Sequence, residues 1–197
     1  MRIEYLIPLI SYLLGSIPFG YLLVRLSEGG DIRTMGSGNI GATNVFRRSR
    51  WIGVLTLLLD AGKGYLAVVL AGWISGSIDW QGAAAISAIA GHVFTFWLRF
   101  KGGKGVATGC GTFLAMSPLA VGTTLVAFVV VFVLTRYISV ASIVATALFP
   151  FWAYLYGDSQ VVFWGIVGAV IIIAKHHQNI RRLLSGNENK LVLGTRS

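Results

Sequence analysis

Long apolar runs alternate in this chain with short, basic, glycine-rich loops. That alternation leaves little choice of architecture. The runs include residues 51–70 and 123–134; the loops read GSGNIGATNVFRR (Gly36–Arg48), FKGGKGVAT (Phe100–Thr108) and KHHQNIRR (Lys175–Arg182). Hydrophobic residues make up 55% of the chain and charged ones 12%, about half the charge of a typical soluble domain. The chain therefore reads as an all-α, polytopic membrane helix bundle, with one domain over residues 1–197. Its formal charge of +9 belongs to loops flanking apolar spans, as positive-inside topology requires, so nucleic acid is excluded as a partner. The apolar run Tyr5–Val24 lacks a signal-peptide cleavage site and reads as a retained helix.

Charge and parity set the number of passes. Apolar stretches fall at residues 5–25, 51–74, 82–98, 106–135, 138–156 and 161–175, which counts six at roughly 20 residues per span. Six passes would put the basic 25–50 loop and Lys175–Arg182 on opposite faces, against the positive-inside rule. The long stretch 106–135 contains Ser117-Pro118, and proline disfavours helix at the residue before it. A break there gives a short helix out and a second one back, hence about seven passes. The N-terminus is then outside and the C-terminus cytoplasmic. The outside connections hold Asp79 and Asp158 but no Lys or Arg.

Three loops carry the chemistry. Glycine turns with backbone N–H groups, short hydroxyls and cations suit phosphate. In the first loop Gly36, Gly38 and Gly41 shape the backbone; Ser37, Asn39, Thr43 and Asn44 supply polar groups and Arg47 a charge. In the second, Lys101 and Lys104 bracket Gly102 and Gly103, and a helix opens near Gly105, with Thr108 in its first turn. The spacing is not that of a Walker A loop, so ATP hydrolysis is not expected. In the third, His176 and His177 are adjacent and point about 100° apart on a helix, while His177 and Arg181 can share a face. Histidine suits proton transfer near neutral pH. Asp60 and Lys63 lie within the second span, where charges are paired or functional, and Ser139 and Ser142 open the sixth helix.

Together these loops resemble the PlsY family of bacterial membrane acyltransferases. The resemblance rests on GSGNxGATNxxR (Gly36–Arg47), the Asp60–Lys63-Gly64 pair, Gly91-His92, FKGGKGVAT, Ser139–Ser142 and HHxNIxR (His176–Arg182), with Glu188 after it. Ile138 and Val140 depart from the small residues that relatives tend to place around Ser139. The resemblance implies transfer of a fatty acyl group from acyl phosphate to the 1-hydroxyl of glycerol 3-phosphate, giving lysophosphatidic acid and phosphate. It implies no cofactor and no metal, a monomer in contact with membrane lipid, and a site facing the cytoplasm of a bacterial inner membrane. His177, Ser37, Lys104 and Asn179 would be catalytic, with a substrate phosphate oxygen as the alternative base to His177. The binding set would comprise Gly36, Ser37, Gly38, Asn39, Thr43, Asn44, Arg47, Lys101, Gly102, Gly103, Lys104, Gly105, Thr108, Ser142, His177, Asn179 and Arg182. Asp60, Lys63, His92 and Glu188 would support it.

A transporter of organic phosphate is the main rival. Transporters place polar groups near the midplane, reachable from both sides, whereas here they crowd one face. No acidic residue follows any histidine at the His-x4-Asp spacing, which disfavours thioester donors. Cys110 stands alone, so no disulfide forms.

Overall fold

The computed structural model describes residues 3–191 as an all-helical bundle. The first span is broken by Pro18 into α1 (Ile7–Ser16) and α2 (Phe19–Glu28). A loop and the short α3 (Ala42–Arg48) lead into α4 (Arg50–Ser75), then α5 (Ile78–Val93). After the glycine turn come α6 (Val106–Met116), α7 (Pro118–Thr135), α8 (Ile138–Leu155) and α9 (Ser159–Lys175). A last helix, α10 (His177–Leu184), leaves α9 at 55°.

Five helical segments are long and apolar enough to span a bilayer, and the bent pair of α9 and α10 makes a sixth. The predicted break is present: α6 ends at Met116, Ser117 caps it, and Pro118 opens α7. With 11 residues, α6 rises only about 16 Å, short of a full span. It still reaches the far end of the bundle, because Ser117 Oγ hydrogen-bonds the Asp158 carboxylate in the α8–α9 connection. The turn that starts α6 is therefore sunk into the bundle.

Helices approach through small residues, as expected where lipid is as apolar as leucine. At the α4–α6 crossing Gly64 lies on the Thr108 backbone and Gly111 on that of Ala61; neither leaves room for a Cβ. The α1–α5 contact is tied by Ser16 Oγ donating to Gly91 O (3.2 Å) and Thr95 Oγ1 to Ser16 O (2.6 Å). A core of Ile89, Val93, Phe113, Val121, Phe149 and Ile172 fills the centre between α5 and α9. Exposed Trp51, Trp73 and Trp97 lie near helix ends, where aromatic rings anchor at the headgroup level.

Candidate active site

At the end of the bundle where the basic loops meet, a cavity of about 260 Å³ opens. The first loop supplies its wall through Ser37, Asn39, Thr43 and Arg47, the glycine turn through Lys104 and Gly105, and the last segments through His176, Asn179, Arg182 and Glu188. Ser139 and Ser142 line it from α8, and Asp60 and His92 form its deeper side. The three loops that the sequence singles out do converge.

Each wall has a local cause. Gly36 and Gly38 adopt φ of +55° and +69°, which turns the first loop back on itself. Asn44 holds that turn shut: its Nδ2 donates to Met35 O and Asn39 O (both 2.9 Å), and its Oδ1 accepts from Ser37 N (3.0 Å). Asn44 lines the cavity but its amide is fully used, so it shapes the loop rather than holding substrate. Gly36 and Gly38 likewise give the loop its course and stand outside the lining.

The glycine turn departs from the expected phosphate cradle. Gly102 N donates to Val93 O (3.1 Å) and Gly103 N to His92 O (3.0 Å), so both amides cap the C-terminus of α5. Glycine is needed because a Cβ on Gly102 would strike His92 O, and one on Gly103 would strike the His92 ring. Lys101 is exposed and away from the cavity, and Thr108 is buried on the α4 side with its hydroxyl unpaired. Of this loop, Lys104 and Gly105 reach the polar part of the lining, with Val106 and Ala107 following them. Gly105 has φ +87° and starts α6, leaving first-turn amides of that helix at the cavity.

The histidine assignment shifts by one residue. His177 is exposed, its Nδ1 lying 3.1 Å from Ala174 O, and it does not line the cavity. His176 is buried at the bend between α9 and α10, with Nδ1 2.8 Å from Ile172 O. A carbonyl only accepts, so Nδ1 carries the hydrogen and Nε2 of the neutral ring is left as an acceptor. Burial pushes the His176 pKa down to about 4, keeping it neutral. The signal lay in the spacing. His176 and Asn179 are three apart on one helix face, whereas His177 and Asn179 are two apart and diverge.

Glu188 organises the remaining wall. Its carboxylate accepts from Asn179 Nδ2 (2.6 Å), Ser139 Oγ (2.8 Å) and Arg182 Nε (2.6 Å). Burial alone would raise its pKa; these hydrogen bonds outweigh burial and hold it below the usual carboxylate value. Asn179 Oδ1 has no hydrogen-bond partner. The segment is drawn over the cavity by Arg47 Nη2, which donates to Asn189 O at 3.1 Å. Burial brings Lys104 down to about 8, with Glu188 raising it and Arg182 and Arg47 lowering it. Three cations thus surround one polar cavity, offset by Glu188, while the second carboxylate in the wall, Asp60, is paired with Lys63.

A glycerol-3-phosphate acyltransferase family model matches residues 5–186. The chain belongs to the glycerol-3-phosphate acyltransferase family. A glycerol-3-phosphate acyltransferase of Geobacter sulfurreducens is 48% identical over 189 residues, covering 95% of this chain and 97% of the relative. One of Endomicrobium trichonymphae is 45% identical over 193 residues, covering 97% of each. Among solved structures, PlsY (YgiH), an integral membrane glycerol 3-phosphate acyltransferase, in its glycerol 3-phosphate form superposes with a TM-score of 0.90 at 37% identity, covering 96% of both chains. Its lysophosphatidic acid form gives 0.88 at 36% identity, covering 96% of this chain and 95% of that one. As a member of the glycerol-3-phosphate acyltransferase family, this chain is a multi-pass bacterial membrane protein.

Proposed function

We propose that the chain transfers a fatty acyl group from acyl phosphate to the 1-hydroxyl of glycerol 3-phosphate, releasing lysophosphatidic acid and phosphate at the cytoplasmic face of a bacterial inner membrane. One observation carries the reading: Lys104, Arg47 and Arg182 meet in a cavity whose other side runs into hydrocarbon. An acyl phosphate with a phosphate-bearing acceptor needs both environments at once.

The cavity's apolar side is Val106, Cys110, Leu125 and Phe128, and the same residues border a crevice of about 80 Å³ reaching Phe113, Val121 and Phe149. The start of the acyl chain lies there, with its carbonyl at the polar end. Lys104, Arg47 and Ser37 hold phosphate, together with the first-turn amides of α6. His176 Nε2 and Asn179 Oδ1, acceptors without a partner on the last segments, orient the glycerol hydroxyl.

In the reaction the 1-hydroxyl oxygen attacks the acyl carbonyl carbon and the bond from that carbon to the bridging phosphate oxygen breaks. The hydroxyl proton goes to the departing phosphate, which leaves as hydrogen phosphate. Burial lowers the His176 pKa to about 4 and makes its ring a weak base, whereas the phosphate oxygen gains negative charge as its bond to carbon breaks, so the phosphate is the better base. His176 directs the hydroxyl instead of removing its proton. Catalysis then rests on placement and on cations facing the charge of the leaving group. Acyl phosphate is already activated, which asks no more of the protein. The cavity end carries Arg48, Arg50, Lys101 and Arg136, while the opposite connections carry Asp79 and Asp158, consistent with a cytoplasmic site, seven passes and an outside N-terminus.

Purified protein given glycerol 3-phosphate with either palmitoyl phosphate or palmitoyl-CoA tests this. Lysophosphatidic acid from the phosphate donor alone is the expected result; product only from palmitoyl-CoA would overturn the donor assignment.

A further inference from the structure

We propose that Lys63 positions Lys104, acting through His92. The inference rests on the reading of Lys104 as a phosphate holder and concerns what keeps it in place.

Lys63, Asp60 and His92 are each at least 95% buried, inside the bundle and beneath the cavity. An ammonium there is costly, and a salt bridge alone is weak grounds for keeping it. It is held from three sides, by one ion pair and two hydrogen-bond partners. Nζ lies 2.7 Å from Asp60 Oδ1 on its own helix, 2.7 Å from Ile17 O and 3.0 Å from His92 Nδ1. Ile17 is the carbonyl at the α1–α2 break, next to Pro18. One side chain therefore ties together α4, the broken first span and the end of α5.

The His92 end of this chain reaches the site. Lysine only donates, so His92 Nδ1 accepts from it. The far tip of the ring, Nε2, stands end-on against Gly103, where a Cβ would overlap it. The His92 carbonyl meanwhile accepts from Gly103 N at 3.0 Å. Gly103 is thus seated by both ring and backbone of one residue, and the next residue is Lys104. A shift of the ring moves the turn that aims the Lys104 ammonium into the cavity. Lys63 is not itself part of the cavity lining and reaches Lys104 only through His92, so it is a positioning residue.

The test is a double-mutant cycle read as the Kd for glycerol 3-phosphate by calorimetry in detergent, a readout independent of which acyl donor is used. His92→Asn leaves Lys63 an acceptor and removes the ring tip; Asp60→Asn with Lys63→Met removes both buried charges together. Each weakens binding about tenfold in the wild-type background, and His92→Asn adds less than about twofold once Lys104→Ala is present. Gly103→Ala weakens binding in the wild type but costs less than about twofold alongside His92→Ala, which vacates the overlapping atoms. Wild-type affinity in His92→Asn, or its full loss persisting in Lys104→Ala, overturns the proposal. Failure of the unaltered protein to bind glycerol 3-phosphate would instead strike the proposed function. Should the paired Asp60 and Lys63 variant not fold, the His92 and Gly103 arms decide.

Discussion

His176 Nδ1 lies 2.8 Å from the carbonyl of Ile172, four residues back, at the bend where α9 gives way to α10. That contact fixes the hydrogen on Nδ1 and presents Nε2 as an acceptor in the cavity wall. The neighbouring His177 points to solvent.

The two histidines should therefore separate cleanly by mutation. His176→Ala lowers kcat by about 100-fold, the lower end of what a positioned acid–base or orienting group contributes. His176→Gln, which keeps an acceptor, retains more activity than the alanine variant. His177→Ala stays close to wild type. Steady-state phosphate release from the three variants checks this.

Lys104 gives a pH signature. Its pKa of about 8 means that it carries a proton at neutral pH and loses it on going alkaline. Bound phosphate dianion favours the protonated form, so binding above pH 8 requires proton uptake. KM for glycerol 3-phosphate should rise above that pH, by up to about tenfold per unit. In Lys104→Arg the rise disappears, because guanidinium stays charged.

Glu188 couples the site to stability. Its pKa is held below the ordinary 4.5 by Asn179, Arg182 and Ser139 against the opposing effect of burial. A depressed carboxylate contributes stability that is whole above its unfolded value and is lost as pH falls through the folded one. Melting curves from pH 5 down to pH 3 should show wild type losing more than Glu188→Gln, which cannot titrate there, with little difference in slope between pH 7 and pH 5.

The α4–α6 crossing should tolerate no side chain. Gly111→Val places atoms on the Ala61 backbone, an overpacking that costs about 1–3 kcal/mol or more. A melting temperature lowered by several degrees checks it, and an unchanged one would contradict the packing described.

Much of this was legible in the residues. Ser117-Pro118 marked the break between α6 and α7, and the basic loops flagged the end of the bundle that holds the cavity. The roles inside the loops were less so. Gly102 and Gly103 look like a phosphate cradle in sequence, yet their amides are taken by Val93 and His92, residues whose proximity only the fold creates. Asn44 looks like a ligand for the same reason and is spent on Met35, Asn39 and Ser37. His176 could have been chosen over His177 from its three-residue spacing to Asn179, a helical regularity that adjacency of the two histidines obscured. Lys63 showed its importance as a charge in a span, but its partners Ile17 and His92 lie 46 and 29 residues away.

The most direct test of the central claim is lysophosphatidic acid formation from palmitoyl phosphate and glycerol 3-phosphate by purified wild-type and Lys104→Ala protein. The account predicts product from wild type and a loss of about 100-fold or more in kcat/KM for the variant, the scale of a charge-assisted contact to the reacting phosphates. Equal turnover by the two proteins would contradict the site described here.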